Sequence, residues 1–437
     1  MEATAAAPTP APHVLVIPFP AQGHALPLLD ITALLAARGL RVTVVTTPAN
    51  LPLLSPLLAA HPDGARSRTF PFPSHPSLPA GRESTKDCGP EYFAVFIQAL
   101  AALREPVRAW ARAQKSDPVV AVIADFFCGW AQPLAAEIGA AGLVFSPSGV
   151  PGTAVPHSMF RRQLDEQVRE SVRQELPLEL ESRDFVSNTF RALEGRYLDT
   201  PLEDLGFKRV WAVGPVAPEA DAASARGGET AVAAANLAAW LDGFPDGSVV
   251  YVSFGSQAVL TPAVAAALAE ALERSAVPFV WVVGAGNDGG GVVVPDGFEA
   301  RARNVGMVVR GWAPQVAALR HVAVGWFVTH CGWNSVLEAV AAGLPMLAWP
   351  MSADQFVNAR LLVDEARVAV RACAGGVGVA PDAGELAAVL ADAVGEKGRE
   401  LSVRARELAA EAARAVKEGG SSYNDLEALV QEIRKLS

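Results

Sequence analysis

The 437-residue sequence lacks the features that define several large classes of protein. Its four cysteines lie far apart and none belongs to a CxxC pair, so neither a zinc finger nor a disulfide scaffold is predicted. Basic side chains number 36 against 46 acidic ones, which argues against a protein that binds the phosphate backbone of nucleic acids. No window contains roughly 18 uninterrupted apolar residues, so we expect no membrane-spanning helix.

The amino terminus, MEATAAAPTPAP, has neither a basic start nor a continuous apolar run, so we predict no signal peptide and a cytoplasmic location. What the chain does have is an apolar fraction of 51% with only 19% charged residues, which is the composition of a globular protein. Because its length exceeds that of one ordinary core, we expect two domains of about 200 residues each.

Short β-branched runs alternate with longer helical patterns, as in parallel α/β sheets. We predict strands in two series, at residues 13–18, 41–46, 66–72, 119–124 and 142–147, and then at 249–254, 278–283, 306–311, 322–328 and 345–350. Residues 150–185 are charged and irregular, and we expect helix or loop there. The sequence therefore predicts domains at 1–216 and 236–420, a linker of small and polar residues at 217–235, and a terminal helix at 421–437.

Polar residues follow the first and fourth strands of each series. In a doubly wound sheet, ligands bind outside the carboxyl ends of the strands, where the strand order reverses. If each series has the common order 3-2-1-4-5, that point lies between its first and fourth strands. The first series then places His24 and Asp125 there, and the second places Ser256 and His330. The sequence predicts two crevices with polar groups at their edges.

The segment THCGWNS, residues 329–335, directly follows an apolar strand pattern. A helix that begins near Trp333 would offer free backbone N–H groups and the positive end of its dipole, and Gly332 would allow close approach. We interpret the segment as a site for an anion such as a diphosphate, with an ordinary helix cap as the alternative. Since His330 and Cys331 are adjacent and no second ligand pair is in sight, a zinc site and a thiol nucleophile are disfavoured, and we expect a packed thiol.

Two further patterns each allow two interpretations. His24 and Asp125 are a candidate catalytic pair, in which a carboxylate orients a histidine base, or they are a helix-start histidine and a strand-end aspartate that never touch. GAGNDGGG at 284–291 fits the GxGxxG pattern of dinucleotide sites, but a proline and no helical periodicity follow it. We therefore predict a surface loop there.

Residues 312–355 carry a more specific signal, WAPQVAALRHVAVGWFVTHCGWNSVLEAVAAGLPMLAWPMSADQ. This run resembles the signature box of the plant family 1 UDP-dependent glycosyltransferases and fills all of its positions without a gap. The segments PFPAQGH, ADFF, SNTFRALE, WAVGP and YVSFGS agree with the family in their order along the chain. The resemblance implies a GT-B fold, in which two Rossmann-like domains with parallel sheets face each other across a cleft and the last helix packs back on the first domain.

The resemblance also implies roles for individual residues. His24 corresponds to the family's base and Asp125 to its partner, while Phe19, Phe126 and Phe127 are expected as apolar contacts of the acceptor. The positions implied for the UDP-sugar are Trp312, Gln315 and Glu338 for uridine, Ser256, His330, Asn334 and Ser335 for the diphosphate, and Trp333, Asp354 and Gln355 for the sugar, with Ala313 and Gly332 as further UDP-sugar-binding residues. The N-terminal domain would then bind the acceptor and the C-terminal domain the donor.

The implied reaction is a single in-line displacement with inversion, in which His24 takes the proton of the acceptor hydroxyl as its oxygen attacks the anomeric carbon. A helix amino terminus meets the charge that develops on UDP, so no metal or other cofactor is expected, and no two aspartates lie two positions apart. Gln355 is associated with glucose as the donor sugar, with UDP-rhamnose and UDP-xylose as alternatives. The expected acceptor is a flavonoid-like phenol of plant secondary metabolism, and the expected state is a monomer that is not inserted in a membrane.

Other functions remain open at this point. The same base could support C-glycosylation, in which a ring carbon of a polyphenol attacks instead of an oxygen. An NAD(P)-dependent oxidoreductase would need the glycine loop to bind its cofactor. A non-catalytic UDP-sugar binder is disfavoured by the presence of both His24 and Asp125. The segment between SPSGVPGTAVPHSMF and SNTF, residues 161–186, is short for the family, and such segments usually wall the acceptor pocket, so the sequence leaves the acceptor's identity open.

Overall fold

The computed structural model describes residues 11–88, 92–153, 166–200, 203–216, 230–284 and 294–437. Thirteen strands in these ranges form two sheets. The strands of the first sheet are β1 (His13–Ile17), β2 (Arg41–Thr46), β3 (Ala65–Thr69), β4 (Val119–Asp125), β5 (Ala141–Ser146), β6 (Asp184–Ser187) and β7 (Val210–Ala212). The strands of the second sheet are β8 (Val249–Ser253), β9 (Phe279–Val283), β10 (Gly306–Arg310), β11 (Val324–Thr329), β12 (Met346–Ala348) and β13 (Ala369–Arg371).

The first sheet has the order β3-β2-β1-β4-β5-β6-β7, and its strands pair in parallel. β1 lies near the centre and is buried along its whole length, which is why it reads as a continuous apolar run rather than as an alternating one. The predicted order of the first five strands is confirmed. The sequence pattern does not reveal β6 and β7, because four and three residues are too few for a periodicity to show.

The second sheet repeats this arrangement with the order β10-β9-β8-β11-β12-β13, again with parallel pairs. Its first strand, β8, lies between the second and the fourth, as predicted. The three-residue strand β13 at the edge is not revealed by the sequence. In both sheets the strand order therefore reverses between the first and fourth strands, so the loops after those strands share one edge.

Helices cover both faces of the two sheets. In the described ranges they are α1 (Gln22–Ala37), α2 (Ser55–Ala60), α3 (Phe93–Ala101), α4 (Arg104–Ala113), α5 (Ala131–Ile138), α6 (Val150–Thr153), α7 (Glu166–Leu178), α8 (Arg191–Asp199), α9 (Ala234–Leu241), α10 (Pro262–Ser275), α11 (Phe298–Ala302), α12 (Gln315–Leu319), α13 (Trp333–Ala342), α14 (Gln355–Arg360), α15 (Ala383–Val394), α16 (Arg399–Ala415) and α17 (Ser421–Arg434). None of these helices is long and apolar enough to cross a bilayer.

Three predicted segments fall wholly or partly outside the described residues. They are most of the glycine loop, at 285–293, most of the linker, at 217–229, and residues 154–165. The described part of 150–185 is mainly helical, as α6 and α7, until β6 begins at Asp184.

Helix α17 packs on the first sheet, although it follows the second sheet in the sequence. Its buried side chains recur every three or four residues, as expected for one face of a helix. They pack into the core that contains β1 and β2, and this set consists of Leu426, Leu429, Val430 and Ile433. At the edge of this contact, Arg38 Nε donates to Glu427 Oε1 over 2.6 Å. The chain therefore closes back on its first half.

Replacing Leu429 by alanine is expected to lower the free energy of unfolding by about 2–5 kcal/mol, because a buried leucine is removed and a cavity is left. Urea denaturation followed by far-ultraviolet circular dichroism measures this loss. The matched control is Gln431→Ala, since Gln431 is exposed on the same helix. Equal stabilities of the two variants would contradict the packing of α17 described above.

Candidate active site

His24 and Asp125 meet at the carboxyl edge of the first sheet. β1 ends at Ile17 and α1 begins at Gln22, so His24 lies in the first turn of α1, while Asp125 is the last residue of β4. His24 Nδ1 lies 3.1 and 3.0 Å from the two carboxylate oxygens of Asp125. Because Nδ1 must donate to a carboxylate, the neutral imidazole keeps its lone pair on Nε2.

The surroundings of the pair make it rigid on one side and open on the other. The Asp125 side chain is completely buried, and its Oδ1 also accepts the backbone N–H of Phe127 over 3.0 Å. The His24 side chain is 16% exposed. The carboxylate can thus hold one tautomer of the imidazole and stabilise its cationic form, while part of the ring stays accessible.

Four phenylalanines surround the His24 ring. The ring centroids of Phe19, Phe93, Phe126 and Phe127 lie 5.5, 5.8, 6.0 and 5.0 Å from that of the histidine. Phe126 and Phe127 stack nearly parallel to it, at 8° and 26°. Sequence reasoning missed Phe93, the first residue of α3, because nothing local distinguishes it from a core residue. This aromatic cage, as we call the four residues, excludes water from one side of the base.

The second sheet contributes a helix amino terminus without a side-chain cap. Gly332 occupies the N-cap position of α13, so the backbone N–H groups of the first turn keep their hydrogen-bonding capacity. The positive end of the helix dipole lies at the same place. Together these groups form a site for negatively charged oxygens.

His330 lies directly beside this helix start. A side chain at Gly255 would come within 2.7 Å of the His330 ring, and one at Gly332 would overlap its Nε2. Gly255 also has a φ of +74°, which favours glycine. Burial lowers the pKa of His330 to about 4, so the imidazole is neutral at neutral pH. The buried Nδ1 has no hydrogen-bond partner among the described residues.

The neighbouring Cys331 is an inert thiol. It is completely buried with a φ of +63°, and burial raises its pKa to about 12. Across the described ranges, no group of three or more histidine, cysteine, aspartate and glutamate side chains is arranged to hold a metal ion.

Two of the residues implied for uridine are in contact: Gln315, the first residue of α12, and Glu338, in the middle of α13. Gln315 Nε2 donates to Glu338 Oε2 over 2.7 Å and approaches Ser335 Oγ at 3.3 Å. Trp312 is half-buried and its carbonyl accepts the backbone N–H of Ala231, whereas Ala313 is buried. The structure thus brings Gln315 to Glu338 and Ser335, while the buried Ala313 offers little more than its backbone.

Asp354 and Gln355 lie at the start of α14, between the two halves of the molecule. Gln355 Oε1 accepts the backbone N–H groups of Met351 and Ser352, each over 2.9 Å, which leaves its NH₂ group as the remaining donor. Burial raises the pKa of Asp354, while hydrogen bonds from Asn358 and Ser148 and the nearby imidazole of His24 oppose this rise. Asp354 therefore lies near the base on the first sheet.

Two residues of the predicted anion site contact the first half of the protein. Asn334 Nδ2 donates to the carbonyl of Gly23 over 2.9 Å, and Trp333 Nε1 donates to the carbonyl of Asn188 over 2.8 Å. The resemblance implies that Trp333 faces the sugar, but its indole is only 3% exposed and lies at this boundary. Ser256, on the loop after β8, is exposed. The two halves are therefore joined here, and one of the contacts is at Gly23, next to His24.

Comparison with known proteins agrees with this arrangement. Residues 227–377 match the family described as UDP-glucoronosyl and UDP-glucosyl transferase. The chain is 43% identical to UDP-glycosyltransferase 89A2 of Arabidopsis thaliana, over 97% of this chain and 96% of that protein. It belongs to the UDP-glycosyltransferase family.

Two further relatives of this UDP-glycosyltransferase are also proteins of Arabidopsis thaliana. Flavonol 3-O-glucosyltransferase UGT89B1 of Arabidopsis thaliana is 42% identical over 97% of this chain and 96% of its own length. The chain also resembles the crystal structure of Arabidopsis thaliana UGT89C1 complexed with UDP-L-rhamnose. The sequences are 39% identical and the TM-score is 0.85, over 97% of this chain and 100% of that one. The structure of UGT89C1 complexed with quercetin has a TM-score of 0.84 at 38% identity, over 97% of this chain and 99% of that one. The fold is therefore GT-B, as the resemblance implies.

Gly332→Ala is expected to weaken the binding of UDP at least tenfold, because the added methyl group displaces His330 from the helix start. Isothermal titration calorimetry with UDP measures the change. Gly378→Ala is the matched control, since a side chain there would meet open space. Unchanged UDP affinity in Gly332→Ala would show that the anion site lies elsewhere.

The His330 imidazole is expected to remain neutral from pH 8 to pH 5 in the protein without ligand. Its folded-state pKa of about 4 lies below the ordinary value of 6.5, so its contribution to stability is present above pH 6.5 and is lost as the pH falls through 4. The Cε1 proton resonance, assigned by its loss in His330→Gln, reports the protonation directly by NMR. A midpoint near 6.5 would contradict the burial of this ring.

Proposed function

We propose that the protein transfers glucose from UDP-glucose to a hydroxyl group of a flavonoid-type phenol, with inversion at the anomeric carbon. The observation that supports this proposal is the His24–Asp125 pair together with the uncapped start of α13, which is joined to the first half by the hydrogen bond from Asn334 to Gly23, beside His24. A base and an anion site on opposite sides of one cleft suit the activation of an acceptor and the departure of a nucleoside diphosphate. The N-terminal half would bind the acceptor and the C-terminal half the donor.

His24 acts as the general base in this proposal. The acceptor oxygen attacks the anomeric carbon, the bond from that carbon to the UDP oxygen breaks, and the hydroxyl proton passes to His24 Nε2. Asp125 is held by the backbone N–H of Phe127 and stabilises the imidazolium that forms. The base is regenerated when the imidazolium releases its proton to solvent.

The diphosphate would bind at the start of α13. The backbone N–H groups of the first turn, the neutral His330 and the hydroxyl groups of Ser256 and Ser335 are all hydrogen-bond donors. They meet the negative charge that develops on the UDP oxygen, which is the charge stabilisation that this step needs. We therefore propose that transfer proceeds without a metal.

The rest of the donor would extend to both sides of this anion site. Uracil would stack on Trp312 beside Ala313 and Gln315, and the ribose hydroxyls would donate to Glu338. The sugar would contact Asp354 and the NH₂ group of Gln355. Because the side chains of Trp333 and Asn334 are used at the boundary between the halves, we propose that their backbone groups, rather than these side chains, face the donor.

The aromatic cage supports a planar phenolic acceptor. Phe19, Phe126 and Phe127 are buried and Phe93 is half-buried, so they offer apolar faces around the base. The relatives named above include a flavonol 3-O-glucosyltransferase and an enzyme crystallised with quercetin, which supports a flavonol. UDP-L-rhamnose is a second candidate donor, because the related UGT89C1 was solved in complex with it.

Mass spectrometry of the products tests this function. Quercetin and a panel of simpler phenols would be incubated separately with UDP-glucose, UDP-rhamnose, UDP-xylose and UDP-galactose. The expected product has gained one hexose from UDP-glucose and loses it on acid hydrolysis. A product formed from UDP-rhamnose alone would show that rhamnose, not glucose, is the sugar transferred. A product that resists acid hydrolysis would indicate C-glycosylation. The absence of a product with every pair of donor and acceptor would contradict the proposal.

His24→Ala is expected to lower kcat about 10²- to 10⁴-fold, the usual effect of losing a general base. The affinity for UDP should stay within twofold of the wild type, because the anion site lies on the other half of the cleft. Steady-state kinetics and calorimetry measure the two quantities. Turnover like that of the wild type would remove His24 as the base.

A further inference from the structure

Glu194 is a buried carboxyl group that the proposed mechanism does not use. It belongs to the segment SNTFRALE, at the start of α8, and has no exposed surface. Its two oxygens accept the backbone N–H of Val150 over 2.9 and 3.1 Å, and Oε2 also accepts the hydroxyl of Thr189 over 2.6 Å. One carboxyl group thus joins the loop after β5 to the loop after β6.

The loop after β5 lies between Glu194 and the donor half of the cleft. A side chain at Gly149 would come within 2.7 Å of Glu194 Oε1 and 2.9 Å of the Trp333 ring. One at Gly152 would come within 3.1 Å of Asp354 Cβ, and the Ser148 hydroxyl is hydrogen-bonded to the Asp354 carboxylate. Residues 148–152 therefore touch both side chains that begin the two donor-site helices.

The loop after β6 makes a second contact with the same place. Thr189 follows Asn188, whose carbonyl accepts the indole N–H of Trp333 over 2.8 Å. Asn188 is fixed in turn, since its Oδ1 accepts the backbone N–H of Val216 over 2.7 Å. Glu194 therefore accepts hydrogen bonds from both loops, and each of these loops lies against Trp333.

We propose that Glu194 is a positioning residue for the donor sugar. Glu194 fixes residues 148–152 and 188–189 by hydrogen bonds. These residues in turn keep Trp333 and Asp354 in the positions that bind the sugar part of a nucleoside diphosphate sugar. The inference rests on the proposed function, because it takes α13 and α14 as the donor site. It assigns no contact between Glu194 and either substrate.

The electrostatics of the site add a pH dependence to this role. Burial raises the pKa of Glu194 to about 7, against the hydrogen bonds from Thr189 and Val150, and the negative charge of Glu365 raises it further. Glu365 itself accepts from Arg196 and from the Tyr197 hydroxyl, and Tyr197 also feels the charge of Glu194. Across the loop after β5, Asp354 is hydrogen-bonded to Ser148 and lies near His24. Protonation of Glu194 turns one of its acceptor oxygens into a donor. We therefore expect Glu194 to hold the two loops less tightly as the pH falls through 7.

The first experiment compares Glu194→Ala and Glu194→Gln with the wild type. The alanine variant removes both hydrogen bonds, and we expect its KM for UDP-glucose to rise at least tenfold. Its affinity for UDP, which lacks the sugar, should stay within twofold. Glutamine can accept from Val150 and donate to Thr189 Oγ1, which is the pattern of the protonated carboxyl group. We therefore expect Glu194→Gln to keep the KM near the value that the wild type shows at pH 6, and to abolish the dependence of that KM on pH between 6 and 8.

Further variants keep the inference open to contradiction. Thr189→Val removes one donor to Glu194 without changing the volume much, and we expect a smaller rise in the KM for UDP-glucose, about threefold or more. Gly195→Ala is the control on the same helix, because a side chain there meets open space. If Glu194→Ala fails to fold, the other two variants decide. The inference would be overturned if Thr189→Val had the wild-type KM for UDP-glucose and Glu194→Gln kept the wild-type dependence of that KM on pH.

The outcomes separate this inference from the proposed function. A wild-type protein that binds neither UDP nor UDP-glucose would remove both. Wild-type binding combined with an unchanged KM in Glu194→Ala would remove the inference alone. Equal losses of UDP and UDP-glucose affinity in Glu194→Ala would also overturn it, because they would indicate general damage to the donor half rather than displacement at the sugar.

Discussion

The rest of the site depends on the first turn of helix α13, whose backbone and side chains have different roles. Its backbone N–H groups must remain open for an anion, and its side chains must hold the two halves of the molecule together. A glycine at the N-cap makes the first possible because no side chain closes the helix end. Trp333 and Asn334 accomplish the second by donating to the carbonyls of Asn188 and Gly23. The contact at Gly23 is one residue away from His24, so the same turn that forms the anion site also sets its distance from the base.

Burial gives the two histidines of the cleft different chemistry. His330 lies against two glycines and has no carboxylate partner in the described part of the chain. The cost of burying a charge keeps its imidazole neutral, which suits a hydrogen-bond donor that must not compete as a base. His24 has the buried carboxylate of Asp125 beside it and a partly exposed ring, which suits a group that gains and loses a proton. Within the aromatic cage, the low polarity strengthens the interaction between this imidazolium and its partner. In the proposed mechanism, the same residue type therefore serves as a hydrogen-bond donor on one sheet and as a base on the other.

Much of the fold and part of the site follow from local patterns. Ten strands and their order could be predicted, because buried parallel strands read as short apolar runs and because α/β connections favour one common order. The strand, turn and helix start of the proposed anion site could be predicted, because Thr329, Gly332 and Ser335 are close in the sequence and their local structure fixes their spacing. The short edge strands β6, β7 and β13 could not, since three or four residues carry no measurable period. Phe93 and Glu194 could not either, since their partners lie on other elements.

The amino-acid sequence by itself determined the two α/β units, the glycine-opened helix start and the presence of a histidine and an aspartate at the edge of one sheet. It did so because these features depend on neighbours within a few residues. Only the tertiary structure decided that His24 and Asp125 are in contact, that Trp333 is used at the boundary between the halves, and that a buried glutamate ties two loops to the donor side. These are contacts between residues far apart in the chain, and their free energies arise from the burial and hydrogen bonding that folding alone creates.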